Sequence, residues 1–311
     1  MPPELETFDV AVSDGRWDGA PWILPDGTLP SADAGGRVLL VLGKGGVGRT
    51  VVTAVIARAA AADGLRVLVI GLDGRPTLTE LCRGSDVTVR MVSAGSALED
   101  YLLDQGFGGF ARRLAESGII EVVGAAAPGI HDLVVLGKVK QFANEGRWDL
   151  IVVDAPAAGH ATSMLTSVDG LLDIVDGGPI REQALAVRAV LRDPARAAAV
   201  LVTLPETTPV NESLELAAVT RDVVGVSVAA GVISSVEPVL DLPDPSVSAD
   251  GPLGALIERG RATGAVTRDA IDRFNTDVDA PVARLPRLPV AGVDADDAEL
   301  LAALLRSGGL R

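Results

Sequence analysis

Residues 43 to 50 read Gly43-Lys44-Gly45-Gly46-Val47-Gly48-Arg49-Thr50, and no other stretch restricts the fold as tightly. They fit the loop pattern G-x-x-x-x-G-K-[ST], with Arg49 standing in the lysine position. Such a loop demands a strand before it and a helix after it. The sequence supplies both. Val38-Leu39-Leu40-Val41-Leu42 is a short apolar run, and Thr50 to Ala62 is alanine-rich and helix-compatible. Without Cβ atoms the chain can wrap closely enough to aim consecutive N–H groups at phosphate oxygens. The following helix adds the positive end of its dipole. Thr50 is placed to put its hydroxyl on a Mg²⁺ ion.

The same residues satisfy a rival pattern. Gly43, Gly45 and Gly48 make G-x-G-x-x-G, and Asp73 ends the next predicted strand, Val67 to Leu72. That is the dinucleotide-binding fingerprint with its ribose-binding acid, and it would make the chain a dinucleotide-binding oxidoreductase. Spacing alone does not reject it. Two features favour the phosphate loop. A cation and Thr50 follow the last glycine directly, and a second acidic strand end, Asp154, stands where a Mg²⁺-side aspartate is expected.

Further strands are predicted at 37–42, 66–72, 87–92, 149–154, 198–204 and 226–234, with a final edge strand at 281–288. Helical stretches separate them. Strands alternating with helices imply an α/β fold, a mostly parallel, doubly wound sheet covered on both faces. The composition agrees. Hydrophobic residues make up 48% of the chain but aromatics only 3%, so Ala and Val carry the core, as suits helices packed on a parallel sheet. Residues 1–36 are rich in Pro, Gly and Asp and read as an irregular N-terminal extension, docked in part by Trp17 and Trp22. The nucleotide-binding domain is expected over 37–305, with a helical insertion about 97–144 and a C-terminal tail at 306–311. Glu237 to Pro252 carries several prolines and aspartates and is expected as a long surface loop.

Charge and composition also exclude functions. A net charge of −15 argues against a nucleic-acid surface and against a basic membrane-surface helix. No apolar run reaches the roughly 18 residues a membrane span needs. The start, Met1-Pro2-Pro3-Glu4-Leu5-Glu6, lacks the form of a secretory signal. Cys82 is the only cysteine, so no intramolecular disulfide or multi-cysteine metal site is possible, and a cytoplasmic location fits. Lys44, Lys138 and Lys140 are the only lysines. Arg49 thus follows a general drift from Lys to Arg, against which Lys44 stands out.

Lys44-Gly45-Gly46-Val47-Gly48 resembles the deviant phosphate loop of the ArsA/Get3/MinD class of dimeric ATPases. The resemblance implies a P-loop NTPase that uses ATP and Mg²⁺. It implies nucleotide contacts from Gly43 through Val51, and a Mg²⁺ site at Thr50 and Asp154. In that family the early lysine crosses the dimer interface to the partner's nucleotide, which gives Lys44 a catalytic role in trans. Asp73 looks like the switch I aspartate, the proposed water-orienting base, although Pro76 replaces the usual histidine beyond it. Asp154-Ala155-Pro156-Ala157-Ala158-Gly159-His160 resembles the switch II segment. Ala127 to Leu133, Gly177 to Gln183 and Leu201 to Glu206 look like segments of actinobacterial ArsA-like and Get3-like ATPases. Asp73-Gly74-Arg75-Pro76 is similar to the variant subunit of paired forms. The partner so implied is a second copy or a related, unlike ATPase.

The chain departs from the family at several points. Arg49 replaces the lysine that contacts the β- and γ-phosphates, which leaves open an ATPase with weak hydrolysis or a non-catalytic regulatory subunit. Ser234-Ser235 occupies the place of an adenine-reading asparagine. Cys82 alone cannot build the arsenite branch's metalloid site. The only methionines are Met1, Met91 and Met164, against a methionine-rich client groove.

Overall fold

Strand β1 (Arg37–Gly43) is buried along its whole length. It has parallel neighbours on both sides, β4 (Leu150–Asp154) and β5 (Ala197–Thr203), which are equally buried. In the computed structural model, which describes residues 17–72, 74–104, 129–237 and 251–310, four further strands complete the sheet. They are β2 (Val67–Gly71), β3 (Val87–Met91), β6 (Ser227–Val236) and β7 (Val282–Pro286). The order is β3-β2-β4-β1-β5-β6-β7, parallel throughout. The strands lie within a residue or two of the runs expected from sequence, and β7 is the expected edge.

Successive residues of β1 feed opposite cores, because side chains alternate across a sheet. Val38, Leu40 and Leu42 enter one apolar cluster and Leu39 and Val41 the other. One face is covered by α1 (Arg49–Ala62) and α9 (Ala295–Arg306), which pack on each other. Every residue of α1 from Val52 to Ala60 is buried. Its alanines allow close approach to both the sheet and α9. A capping box starts α9: Asp294 accepts from the Asp296 and Asp297 amides, and its own amide donates to the Asp297 carboxylate. The other face carries α4 (Ile130–Asn144), α5 (Ala158–Ile174), α6 (Pro179–Leu191) and α7 (Thr207–Ala218). Short α2 (Thr77–Leu81) packs on α1 and α9, α3 (Ala94–Asp104) packs on α4, and α8 (Gly251–Asp277) packs on α7.

Of the helical insertion expected about 97–144, the described parts are helical, the end of α3 and α4. Leu133, Leu136 and Val139 of α4 are buried in the main apolar cluster, so α4 is one of the sheet's covering helices. Residues 105–128 of that stretch lie outside the described residues. So do 1–16 and most of the expected 237–252 loop, whose last two residues, Gly251 and Pro252, already begin α8. Between 17 and 36 the chain makes one 3-10 turn, Ala32–Ala34. Trp22 is fully buried there and donates from Nε1 to Asp63 Oδ2 at 3.0 Å, while Arg306 of α9 donates to Oδ1 at 2.9 Å. No helix among the described residues is long and apolar enough to cross a membrane.

Candidate functional site: the loop after strand β1

The strand order positions the site. The chain leaves β1 between β4 and β5, at the carboxyl end of the sheet, where connections to the two flanks part. Gly43 closes β1 opposite Val202 of β5, and a Cβ there would run into the Val202 carbonyl oxygen. Gly46 and Gly48 turn the loop with φ of +88° and +85°, a region that disfavours any side chain. A Cβ on Gly45 or Gly46 would meet no atom within 4 Å, so the loop's outer side is open. Val47 is buried beneath it. The loop ends in α1, whose first turn holds no acidic residue to compete with an anion for the helix's free N–H groups. Val51 sits in that same turn, partly buried.

Thr50 and Asp154 meet. Parallel pairing sets Asp154 opposite Val41, and the Thr50 hydroxyl donates to Asp154 Oδ2 at 2.8 Å. A hydroxyl and a carboxylate side by side form a hard-oxygen donor set. Mg²⁺ uses such a set when it binds through one or two protein oxygens and completes its shell with phosphates and water. The residues present therefore fit the ion.

Arg49 and Lys44 go in different directions. Arg49 turns back into its own loop, and Nη1 donates to the carbonyl oxygens of Gly43 and, at 2.8 Å, Lys44. Lys44 extends away from the loop and places Nζ 2.7 Å from Glu212 Oε1 on α7. Ser234, at the end of β6, is turned under the loop. Its hydroxyl donates to the Val47 carbonyl at 2.6 Å, with the Thr203 carbonyl a second neighbour at 3.3 Å. Sequence reading missed Glu212 and missed this use of Ser234. No local pattern signals either contact, since the partners lie 168 and 187 residues apart.

Asp73 lies outside the described residues. His160 is exposed in the first turn of α5, and Asp132 on α4 has both His160 and His131 close enough to act on it. Burial holds the Asp132 carboxyl above the usual carboxylate range, and the two imidazoles oppose that shift. No cluster of His, Cys, Asp and Glu among the described residues could by itself hold a metal. Burial raises the Cys82 thiol to about 11, so it stays protonated and serves as core.

A dinucleotide fold places β1 directly beside β2, in the order 3-2-1-4-5-6. Here β4 stands between them, which removes the dinucleotide reading. The CobQ/CobB/MinD/ParA nucleotide binding domain matches residues 38–306. This chain belongs to that family. The ATPase BagA of Mycobacterium tuberculosis is 31% identical over 209 residues, covering 60% of this chain and 61% of that protein. The ATPase GET3B of Arabidopsis thaliana is 25% identical over 240 residues, covering 57% and 58%. The ATPase ARSA1 of Chlamydomonas reinhardtii is 25% identical over 253 residues, covering 58% and 33%. The chain thus spans about three fifths of the mycobacterial relative's length. These relatives agree with the resemblance to the ArsA/Get3/MinD class.

Proposed function

We propose that this chain is a cytoplasmic Mg-ATP-binding ATPase subunit of the ArsA/Get3-like class. In this reading it hydrolyses ATP weakly on its own and works as a nucleotide-dependent dimer, with a second copy or with a related ATPase. The observation that carries the reading is the Thr50–Asp154 contact beneath a glycine loop whose outer side is open. The loop amides and the α1 N-terminus would take the phosphates, and Thr50 and Asp154 would hold Mg²⁺. Bound there, the ion would draw off charge that develops on the phosphate oxygens. Asp73 would orient the attacking water, and Lys44 would serve a nucleotide on the facing subunit.

Weak hydrolysis is inferred from Arg49. Its guanidinium is engaged by the carbonyls of Gly43 and Lys44, and arginine offers a planar fork where a compact ammonium is expected. Misplaced charge at a phosphoryl-transfer site costs on the order of 10²-fold in rate. The same contact favours a second reading, a non-catalytic nucleotide-binding subunit that regulates an unlike ATPase.

Titration with ATP-Mg tests the site. Wild type should bind, and Gly48→Val should not, because a β-branched residue at φ of +85° would distort the loop. Unchanged affinity in Gly48→Val would remove the phosphate-loop assignment. Phosphate release then separates the two readings. Arg49→Lys should raise the rate several-fold if the chain is a slow ATPase. A rate that stays at background while ATP still binds favours the regulatory subunit.

A further inference from the structure

Lys44 is tied to its own subunit. Strand β5 runs beside β1 as far as the Gly43–Val202 pair, and α7 begins four residues after β5 ends. The buried face of α7, with Pro209, Val210, Ser213, Leu216 and Ala217, fixes the helix against the core. Glu212 falls on its flank, towards the loop. Its carboxylate meets the Lys44 ammonium at 2.7 Å and has no other partner among the described residues. The neighbouring Asn211 is engaged elsewhere, by Arg273 of α8. The Lys44 ammonium likewise bonds only Glu212 among the described residues. The loop therefore has two cations with different assignments: Arg49 is turned inward, and Lys44 is held outward by a single acid.

We propose that Glu212 is a positioning residue that parks Lys44 in cis and so restrains pairing until nucleotide is bound. The proposal rests on the reading of the chain as a nucleotide-dependent dimer. While Glu212 neutralises Lys44, the loop face of this acidic chain offers little positive charge to a facing subunit. A nucleotide's phosphates on that subunit carry more negative charge than one carboxylate and can compete for the ammonium. Exposure sets the strength of the latch. The two side chains are 40% and 38% exposed, and ion pairs of that kind are worth no more than about fivefold in an equilibrium constant. That is enough to bias pairing and small enough for phosphate to overcome. Two latches released together in a symmetric pair would give at most about 25-fold.

The scarcity of lysine makes the contact measurable without a partner. Lys138 is paired with Asp100 and Lys140 with Gln183, so an acetylating reagent read by mass spectrometry has three lysines to report. In Glu212→Gln, Lys44 should be acetylated up to about fivefold faster than in wild type, with Lys138 and Lys140 as internal standards. Sedimentation velocity in ATP-Mg should show Glu212→Gln pairing at up to about 25-fold lower protein concentration. ATP-Mg affinity at concentrations too dilute for pairing should stay the same. Glu212→Asp should behave nearer to wild type, and in a Lys44→Ala background Glu212→Gln should change nothing. Equal Lys44 labelling, equal pairing, or an effect that survives Lys44→Ala overturns the latch. So does a chain that binds ATP-Mg and remains a monomer in every variant. Wild type that does not bind ATP-Mg overturns the nucleotide reading itself, a failure the dilute titration identifies separately.

Discussion

Asp149 and Asp154 bracket β4 and look alike in the run Asp-Leu-Ile-Val-Val-Asp, yet the fold uses them oppositely. Asp149, at the amino end, accepts from Arg66 Nε at 2.9 Å, Arg66 Nη2 at 2.8 Å, the Arg66 amide at 2.8 Å and the Ala32 amide at 2.9 Å. Its carboxylate is committed to fastening the segment before β1 and the start of β2 to the sheet. Asp154, at the carboxyl end, accepts the Thr50 hydroxyl and lies below the open loop. The difference follows from sheet polarity. In a parallel sheet every strand leaves at the same edge, so loops, helix N-termini and ligand-ready groups gather there. The opposite edge only receives chain. An acid there has backbone amides and neighbouring arginines to satisfy.

The largest expected contrast is functional. Asp154→Asn keeps an oxygen for the Thr50 hydroxyl but removes the charge that would hold Mg²⁺ in the proposed site. The gain in ATP affinity on adding Mg²⁺ should disappear, and any Mg²⁺-dependent phosphate release should fall on the order of 10²-fold. Asp149→Asn should leave both intact. Titrations with and without Mg²⁺ check this, and equal behaviour of the two variants would break the comparison.

Next in size is a stability effect confined to the amino end. Bonding to Arg66 holds the Asp149 carboxyl down at about 2, against an ordinary value of 3.8. A depressed folded value means that the stabilisation is present above pH 3.8 and is lost as pH falls through 3.8 towards 2. Because Arg66 is half exposed and its charge is screened by water, the stabilisation is on the order of 1 kcal/mol. Urea unfolding between pH 5 and pH 2 should show that loss in wild type and a flatter profile in Asp149→Asn. Parallel profiles would deny Asp149 its structural role.

The smallest effect belongs to Ser234. Removing its hydroxyl leaves the Val47 carbonyl without its donor, at a cost of about 1 kcal/mol. Because Val47 is inside the loop, ATP affinity should weaken by a few-fold in Ser234→Ala while Ser234→Thr retains it. Calorimetry on the two variants decides between a loop support and an inert core hydroxyl.

Much of this was legible in the chain order. The apolar runs that became β1, β4 and β5 are buried on both faces, so they need no alternation and stand out as unbroken Val, Leu, Ile and Ala. The glycine loop was legible because its conformation admits few residues: a carbonyl blocks a side chain at Gly43, and positive φ disfavours one at Gly46 and Gly48. Thr50 and Asp154 could be paired because Asp154 ends one strand and Thr50 follows the loop after another, and parallel strands end together. The helix α4 was harder to place. Its apolar residues announce a helix, but nothing local says that the helix lies on the sheet.

The sequence by itself therefore determined the alternation of strand and helix, the loop and the acidic strand end. These are properties of short windows, governed by backbone sterics and hydrophobic periodicity. Only the tertiary structure decided that β4 comes between β1 and β2, that Ser234 supports Val47 and that Lys44 rests on Glu212. Each of these is a meeting of distant segments, set by how helices of particular size pack on a twisted sheet. Arg49 shows the boundary. Its identity marks a departure from the loop pattern, but its hold on the Gly43 and Lys44 carbonyls follows from the folded loop, where those oxygens converge on the start of α1.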